Sequence, residues 1–140
     1  VFAPRAPLAE HLARHRQADL FLDTLPYNAH TTASDALWSG LPIVTCEGAT
    51  FPSRVCASLL RAVGLPELVT GSLADYEAAA LAFARDPERL AALKSQLAQN
   101  RDSAPLFDTA GFTRDFEAAL LDMWDRRQSA ESSAEFRMQR

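Results

Sequence analysis

Apolar positions along this chain fall into two alternating patterns. Short apolar runs of three to six residues alternate with longer stretches whose apolar positions recur three and four apart, the mark of an amphipathic helix. Residues 1–3 read as the end of a strand and 4–7 as a loop. Pro7 can open a helix over 8–17, because its missing N–H costs nothing in the first turn. A strand over 18–23 follows, ending in Asp23-Thr24, and a loop leads to a helix that opens on His30-Thr31-Thr32. Gly40 closes that helix and Pro42 prevents its continuation. Residues 41–46 are a third apolar strand. Gly48 turns the chain into a helix over 50–63, with Pro52 tolerable in its first turn. Gly64-Leu65-Pro66 stops this helix before a short strand over 68–70.

Beyond residue 72 only helical spacing remains. Ser72 with Asp75 three residues on resembles a capping box for a helix through 84, and Asp86-Pro87 supplies an N-cap and first position for a helix over 88–99. Residues 100–106 read as a loop, and Asp108 or Thr109 caps a last long helix. Its stripe of Phe112, Phe116, Leu120, Met123 and Trp124 is expected in the core, as are Trp38 and Phe51. The chain then turns polar, so residues 1–126 read as one domain and 127–140 as a disordered tail. Strands and helices in alternation imply an α/β fold with a parallel sheet and right-handed crossovers. The later helices are expected to pack over that sheet or against another domain. Because the chain starts on Val1-Phe2-Ala3-Pro4, it reads as a piece of a larger α/β enzyme.

Composition narrows the functional classes. Apolar residues make up 48% and charged residues 23% of the 140, ordinary for a soluble globular protein. A net charge of −4 disfavours nucleic acid as the main partner. No apolar run nears the ~18 residues of a membrane span and no leader pattern is present, so neither membrane nor export is expected. Cys46 and Cys56, both in apolar surroundings, read as buried reduced thiols, consistent with the cytoplasm. The spacing shows no metal cluster, no Ser-His-Asp set, no GxGxxG and no Walker motif.

Candidate chemistry collects where a parallel sheet binds ligands, at the carboxyl ends of its strands. Three segments fall there: residues 6–14, 27–35 and 47–54. In the second, a helix start offers free N–H groups, the positive end of its dipole, and the side chains of His30, Thr31 and Thr32, a setting for a diphosphate. Asp35 lies one turn further on, placed to take a sugar diol. In the first segment His11 and Arg14 share a helix face. Each has a plain alternative. The threonines can simply cap the helix, Asp35 can meet its dipole, and His11 can be a surface residue. Arg54 can bind phosphate or pair with a carboxylate.

The run Ala18-Asp19-Leu20-Phe21-Leu22-Asp23-Thr24-Leu25-Pro26-Tyr27-Asn28-Ala29-His30-Thr31-Thr32-Ala33-Ser34-Asp35-Ala36-Leu37-Trp38-Ser39-Gly40-Leu41-Pro42 resembles the protein O-GlcNAc transferases of glycosyltransferase family 41. So do residues 53–60, Tyr76-Glu77, residues 105–109 and Met123-Trp124. The resemblance implies a GT-B enzyme, of which this chain is the C-terminal, donor-binding Rossmann-like half. It implies transfer of GlcNAc from UDP-GlcNAc to Ser or Thr hydroxyls of proteins, inverting and without metal or other cofactor. By position, the Ala6 main chain and Arg14 would read the uracil and His11 would stack on it. Asp35 would take the ribose hydroxyls, and His30, Thr31 and Thr32 the diphosphate. Acceptor recognition and the catalytic residues would lie upstream of Val1, beyond which the family carries tetratricopeptide repeats, so this piece would not catalyse alone. Related enzymes use GDP-fucose or UDP-glucose. The sequence departs from the family at Leu8, where animal relatives have lysine, at Ala49, which lacks an acidic side chain, and at Pro52, which replaces a small residue. These departures leave open a non-catalytic module that binds a nucleotide sugar or a protein.

Overall fold

The structure, a computed structural model, describes residues 3–128. It is built on three short parallel strands, β1 (Phe21–Leu22), β2 (Ile43–Cys46) and β3 (Val69–Thr70), in the order β1-β2-β3. Phe21 pairs with Ile43 and Leu22 with Val44; on the other side Thr45 pairs with Val69 and Cys46 with Thr70. Every residue of β2 is buried, as expected of a central parallel strand covered on both faces. The strand expected at residues 1–3 falls mostly outside the described residues, and Ala3 lies in no regular element.

Helix α1 (Leu8–Arg14), extended by a 3-10 turn His15–Gln17, precedes β1, and α2 (Thr31–Trp38) connects β1 to β2. Helix α3 (Val55–Ala62) and a 3-10 turn Pro66–Leu68 connect β2 to β3. Gly40 ends α2 at φ 85°, where a side chain would be strained, and lets the Leu41 N–H reach back to the Ala36 carbonyl at 2.9 Å. The core lies where Ala33, Ala36 and Leu37 of α2 and Cys56 and Leu60 of α3 meet β2. Helix α4 (Leu73–Ala84) packs against β2 and β3 and adds Phe83; α5 (Pro87–Asn100) packs against α4 and adds Leu93 and Leu97. Both begin as the sequence predicts. Ser72 Oγ accepts from the Asp75 N–H and donates to the Asp75 carboxylate, and Asp86 Oδ1 accepts from the Arg89 N–H.

Three expectations fail. The third helix starts at Val55 rather than at residue 50, because Ser53 Oγ donates to the Thr50 carbonyl and receives the Thr50 N–H, folding 50–54 into turns instead. Phe51, expected in the core, is 72% exposed on those turns, and Trp38 is 47% exposed with Phe107 and Arg101 against it. The apolar stripe of α6 (Thr109–Gln128) is also open: Phe112, Phe116, Leu120, Met123 and Trp124 are each about half exposed, and only Gly111 and Ala119 of that helix are buried. Helix α6 runs through Arg127 and Gln128, past the expected domain end at 126; the remainder of the expected tail lies outside the described residues.

Candidate functional site

The loop between β1 and α2 is fixed from beneath. Asp23, at the carboxyl end of β1, is 4% exposed. Its Oδ1 accepts from the backbone N–H groups of Thr24 (2.9 Å) and Ala29 (2.7 Å). Its Oδ2 accepts from Asn28 Nδ2 (2.9 Å) and the Thr45 hydroxyl (2.5 Å). The Tyr76 hydroxyl donates to the Asp23 carbonyl at 2.9 Å, tying α4 to the same point. Burial, and then the Asp23 charge, push the Tyr76 phenol up, so it keeps the proton that it donates. The same two causes, burial first, push the Cys56 thiol up, so it stays neutral beneath this loop. Both cysteines are free and buried, as the sequence suggests.

Above this network α2 begins. His30 is its N-cap residue, but its side chain makes no capping bond. Only Ala33 and Ser34 of the first turn find a backbone acceptor there, both at the His30 carbonyl. Thr31 and Thr32 are exposed and neither hydroxyl turns back to cap the helix, whereas the starts of α4 and α5 are closed by their own side chains. The capping reading of the threonines therefore fails, and the N-terminus of α2 presents N–H and O–H groups outward. His30 Nε2 lies 3.3 Å from the Pro52 carbonyl, which can only accept, so Nε2 carries the proton. Tyr27 stacks on the imidazole at 5.1 Å between centroids and Phe51 meets it edge-on at 6.1 Å. The ring is thus held in one orientation.

Helix α1 brings the second set of residues. His11 Nε2 lies 3.8 Å from Asp35 Oδ2, which joins residues 24 apart in sequence across α1 and α2. The Asp35 carboxylate therefore faces the His11 ring across the two helices. His15 donates from Nδ1 to the His11 carbonyl at 3.1 Å, and the two imidazoles meet edge to face. Arg14 points elsewhere: its Nη1 donates to the Pro4 carbonyl at 3.1 Å and so fastens the loop that carries half-buried Ala6. His11 and Arg14 share a helix face but serve different partners. One meets α2; the other closes the preceding loop.

The third segment forms a tight turn after β2. Gly48 donates its N–H to the Ser53 carbonyl at 3.1 Å, and a Cβ on Gly48 would lie 2.6 Å from Ser53 Oγ, so a side chain there would displace the turn. Glu47 takes a forked pair of bonds from Arg61, at 2.9 and 2.6 Å. The Arg61 hydrogen bond holds the Glu47 carboxyl below its ordinary range. Arg54 stays exposed at the start of α3, with its charge felt at Glu47.

The three segments do converge. Residues 27–30 touch 51–52 through His30, and residue 11 meets 35. The residues missed in the sequence are those that do the holding: Asp23, Asn28, Thr45 and Tyr76 beneath, Tyr27 and Phe51 beside. An acid ending an apolar strand run, followed by Thr and a Pro-Tyr-Asn loop, was the available sign for the first two. Nothing in the spacing pointed to Thr45 or Tyr76. Among the described residues no group of three or more His, Cys, Asp or Glu is placed to hold a metal ion, and no helix is long and apolar enough to cross a membrane.

A parallel sheet flanked by helices, with an uncapped helix start at its strand ends, defines the Rossmann-like class of ligand-binding α/β domains. The family model for glycosyl transferase family 41 matches residues 1–116, and the chain belongs to that family. It is 39% identical over 129 residues to the UDP-N-acetylglucosamine--peptide N-acetylglucosaminyltransferase of Caenorhabditis elegans, covering 92% of this chain and 11% of that protein. With a probable enzyme of the same name from Arabidopsis thaliana, called SEC, it shares 34% over 139 residues, covering 99% of this chain and 14% of that one. Among solved structures, a lysine-to-methionine mutant of the Thermobaculum terrenum O-GlcNAc transferase superposes with a TM-score of 0.80 at 40% identity, over 91% of this chain and 24% of that one. This chain therefore spans between a tenth and a quarter of the length of these relatives, and its sheet and helices are those of part of a GT-B fold.

Proposed function

We propose that this chain is the donor-binding part of an inverting, metal-independent glycosyltransferase that moves GlcNAc from UDP-GlcNAc to Ser or Thr hydroxyls of proteins in the cytoplasm. The observation that carries this reading is the approach of His11 to Asp35, 3.8 Å apart, beside the open start of α2. It sets an aromatic ring and a carboxylate beside an uncapped helix start, in a chain of glycosyl transferase family 41, which supports the reading. Uracil lies against His11 and is read by the Ala6 main chain and by the Arg14 guanidinium, whose Nη1 also fastens the Pro4 carbonyl; Asp35 accepts from the ribose hydroxyls. The diphosphate takes the Thr31 and Thr32 hydroxyls, the N–H groups beside them, and His30.

The chemical contribution of such a site lies in the leaving group. As the bond from the sugar to the phosphate breaks, negative charge grows on the diphosphate. Donors already aimed at it by a fixed helix stabilise that charge without rearranging. The base that activates the acceptor hydroxyl and the acceptor-binding surface are assigned to preceding parts of the protein, so residues 1–140 bind donor and do not catalyse alone. The test is a transfer assay on the intact protein with a Ser/Thr peptide and, in parallel, UDP-GlcNAc, UDP-glucose and GDP-fucose. UDP-GlcNAc should give the highest kcat/KM. A preference for GDP-fucose would overturn the donor assignment, and UDP binding without transfer from any donor would overturn the enzyme.

A further inference from the structure

A buried carboxylate without a counter-cation is costly unless fixed donors surround it. Asp23 is such a group: among the described residues no Lys, Arg or His lies within ion-pair distance of it, and neutral donors, four of them within 2.9 Å, take the place of a cation. Three of the four belong to the loop that leads into α2: the N–H groups of Thr24 and Ala29, and the Asn28 side chain. Ala29 immediately precedes His30. The same Asn28 amide nitrogen also reaches Thr45 Oγ1 at 2.9 Å and the Cys46 carbonyl at 3.1 Å, binding the loop to the carboxyl end of β2. Moving this loop outward would strip donors from a buried charge, so the loop stays where the charge holds it.

We propose that Asp23 is the positioning residue of the diphosphate site. Its buried charge sets where α2 begins and which way the Thr31 and Thr32 donors face. It thereby governs affinity for the two phosphates and leaves the nucleoside contacts at Ala6, His11 and Arg14 untouched. This deepens the UDP-sugar reading and rests on it.

The experiment compares UDP with uridine on the intact protein, by calorimetry for UDP and by competition for uridine. Asp23→Asn keeps the side-chain volume and one acceptor oxygen, but sets an NH2 group against the donors of Asn28 and Thr45. UDP affinity should fall by about tenfold or more, the worth of a hydrogen bond to a charged group, while uridine affinity changes by less than about twofold. A role confined to stability would lower the melting temperature yet leave the UDP-to-uridine ratio unchanged when measured well below it; that result overturns the proposal. Should the Asp23→Asn chain fail to fold, Thr45→Val removes one donor at nearly constant shape and is expected to lower the same ratio about threefold. An unchanged ratio there overturns it equally. If the wild type binds UDP no better than uridine, the diphosphate reading itself is wrong, and the role of Asp23 falls with it.

Discussion

The strand-end half of the molecule and its last helix carry similar apolar spacing and use it in opposite ways. In α2 and α3 the apolar positions close onto β2: Leu37, Cys56 and Leu60 have no exposed surface. In α6, Phe112, Phe116, Leu120, Met123 and Trp124 recur just as regularly, yet stand about half open, with Phe112 and Phe116 stacked on each other rather than on a neighbour. Periodicity marks the apolar face of a helix; what covers that face is decided by topology. Helices α2 and α3 are crossovers between paired strands and are pressed to the sheet by their connections. Helix α6 follows the last strand by two helices and has no such tether. Its start flanks an apolar groove with α3, lined by Leu59, Ala62, Leu106 and Phe112 and distinct from the strand-end site.

Truncation would expose this difference most sharply. In the 140-residue chain, Leu60→Ala should cost about 2–5 kcal/mol of stability, since it opens a cavity in a filled core. Phe116→Ala should cost less than about 1 kcal/mol, because half its ring already faces water. Equilibrium urea unfolding of the two variants checks the contrast, and equal losses would show the α6 face to be as buried as the core.

A smaller effect tests the rim of the strand-end half. The Glu47 carboxyl is held below its ordinary value near 4.5 chiefly by the Arg61 hydrogen bond. A depressed carboxyl adds stability that is present above its unfolded pKa and is lost as pH falls through the folded one. Arg61→Gln should therefore destabilise the chain near neutrality by under about 1 kcal/mol, as the Arg61 side chain is 51% and that of Glu47 30% exposed, and the gap from wild type should close below about pH 4. Melting curves taken from pH 7 to pH 3 give the answer; a gap that widens with acid would contradict the assignment.

Much of the fold was legible because its signals are local. The caps at Ser72 and Asp86, the stop at Gly40 and the strand at β2 are written in neighbouring residues, and each appears within a few positions of its expected place. The candidate site was legible in its outward-facing residues and not in their supports. His30, Thr31, Thr32 and Asp35 announce themselves by their order in one run. Asp23, Thr45 and Tyr76 meet only after β1, β2 and α4 have assembled, and the 53-position separation of Asp23 and Tyr76 hides that contact from any local pattern. Phe51 and Trp38 misled because a large aromatic beside a helix suggests core, while the Ser53 turns leave Phe51 exposed and Trp38 stands at the end of α2, half open beside Phe107 and Arg101. The approach of His11 to Asp35 was not expected from the spacing, which paired His11 with Arg14 instead.

The central claim is that the open start of α2, with Asp35 behind it, binds UDP. Calorimetric titration of UDP into the intact wild-type protein and its Asp35→Ala variant tests it most directly. Wild type should bind, and loss of the carboxylate proposed to accept the ribose hydroxyls should weaken binding by at least about 1 kcal/mol, roughly fivefold. No detectable binding to wild type, or equal affinity in the two proteins, would contradict it.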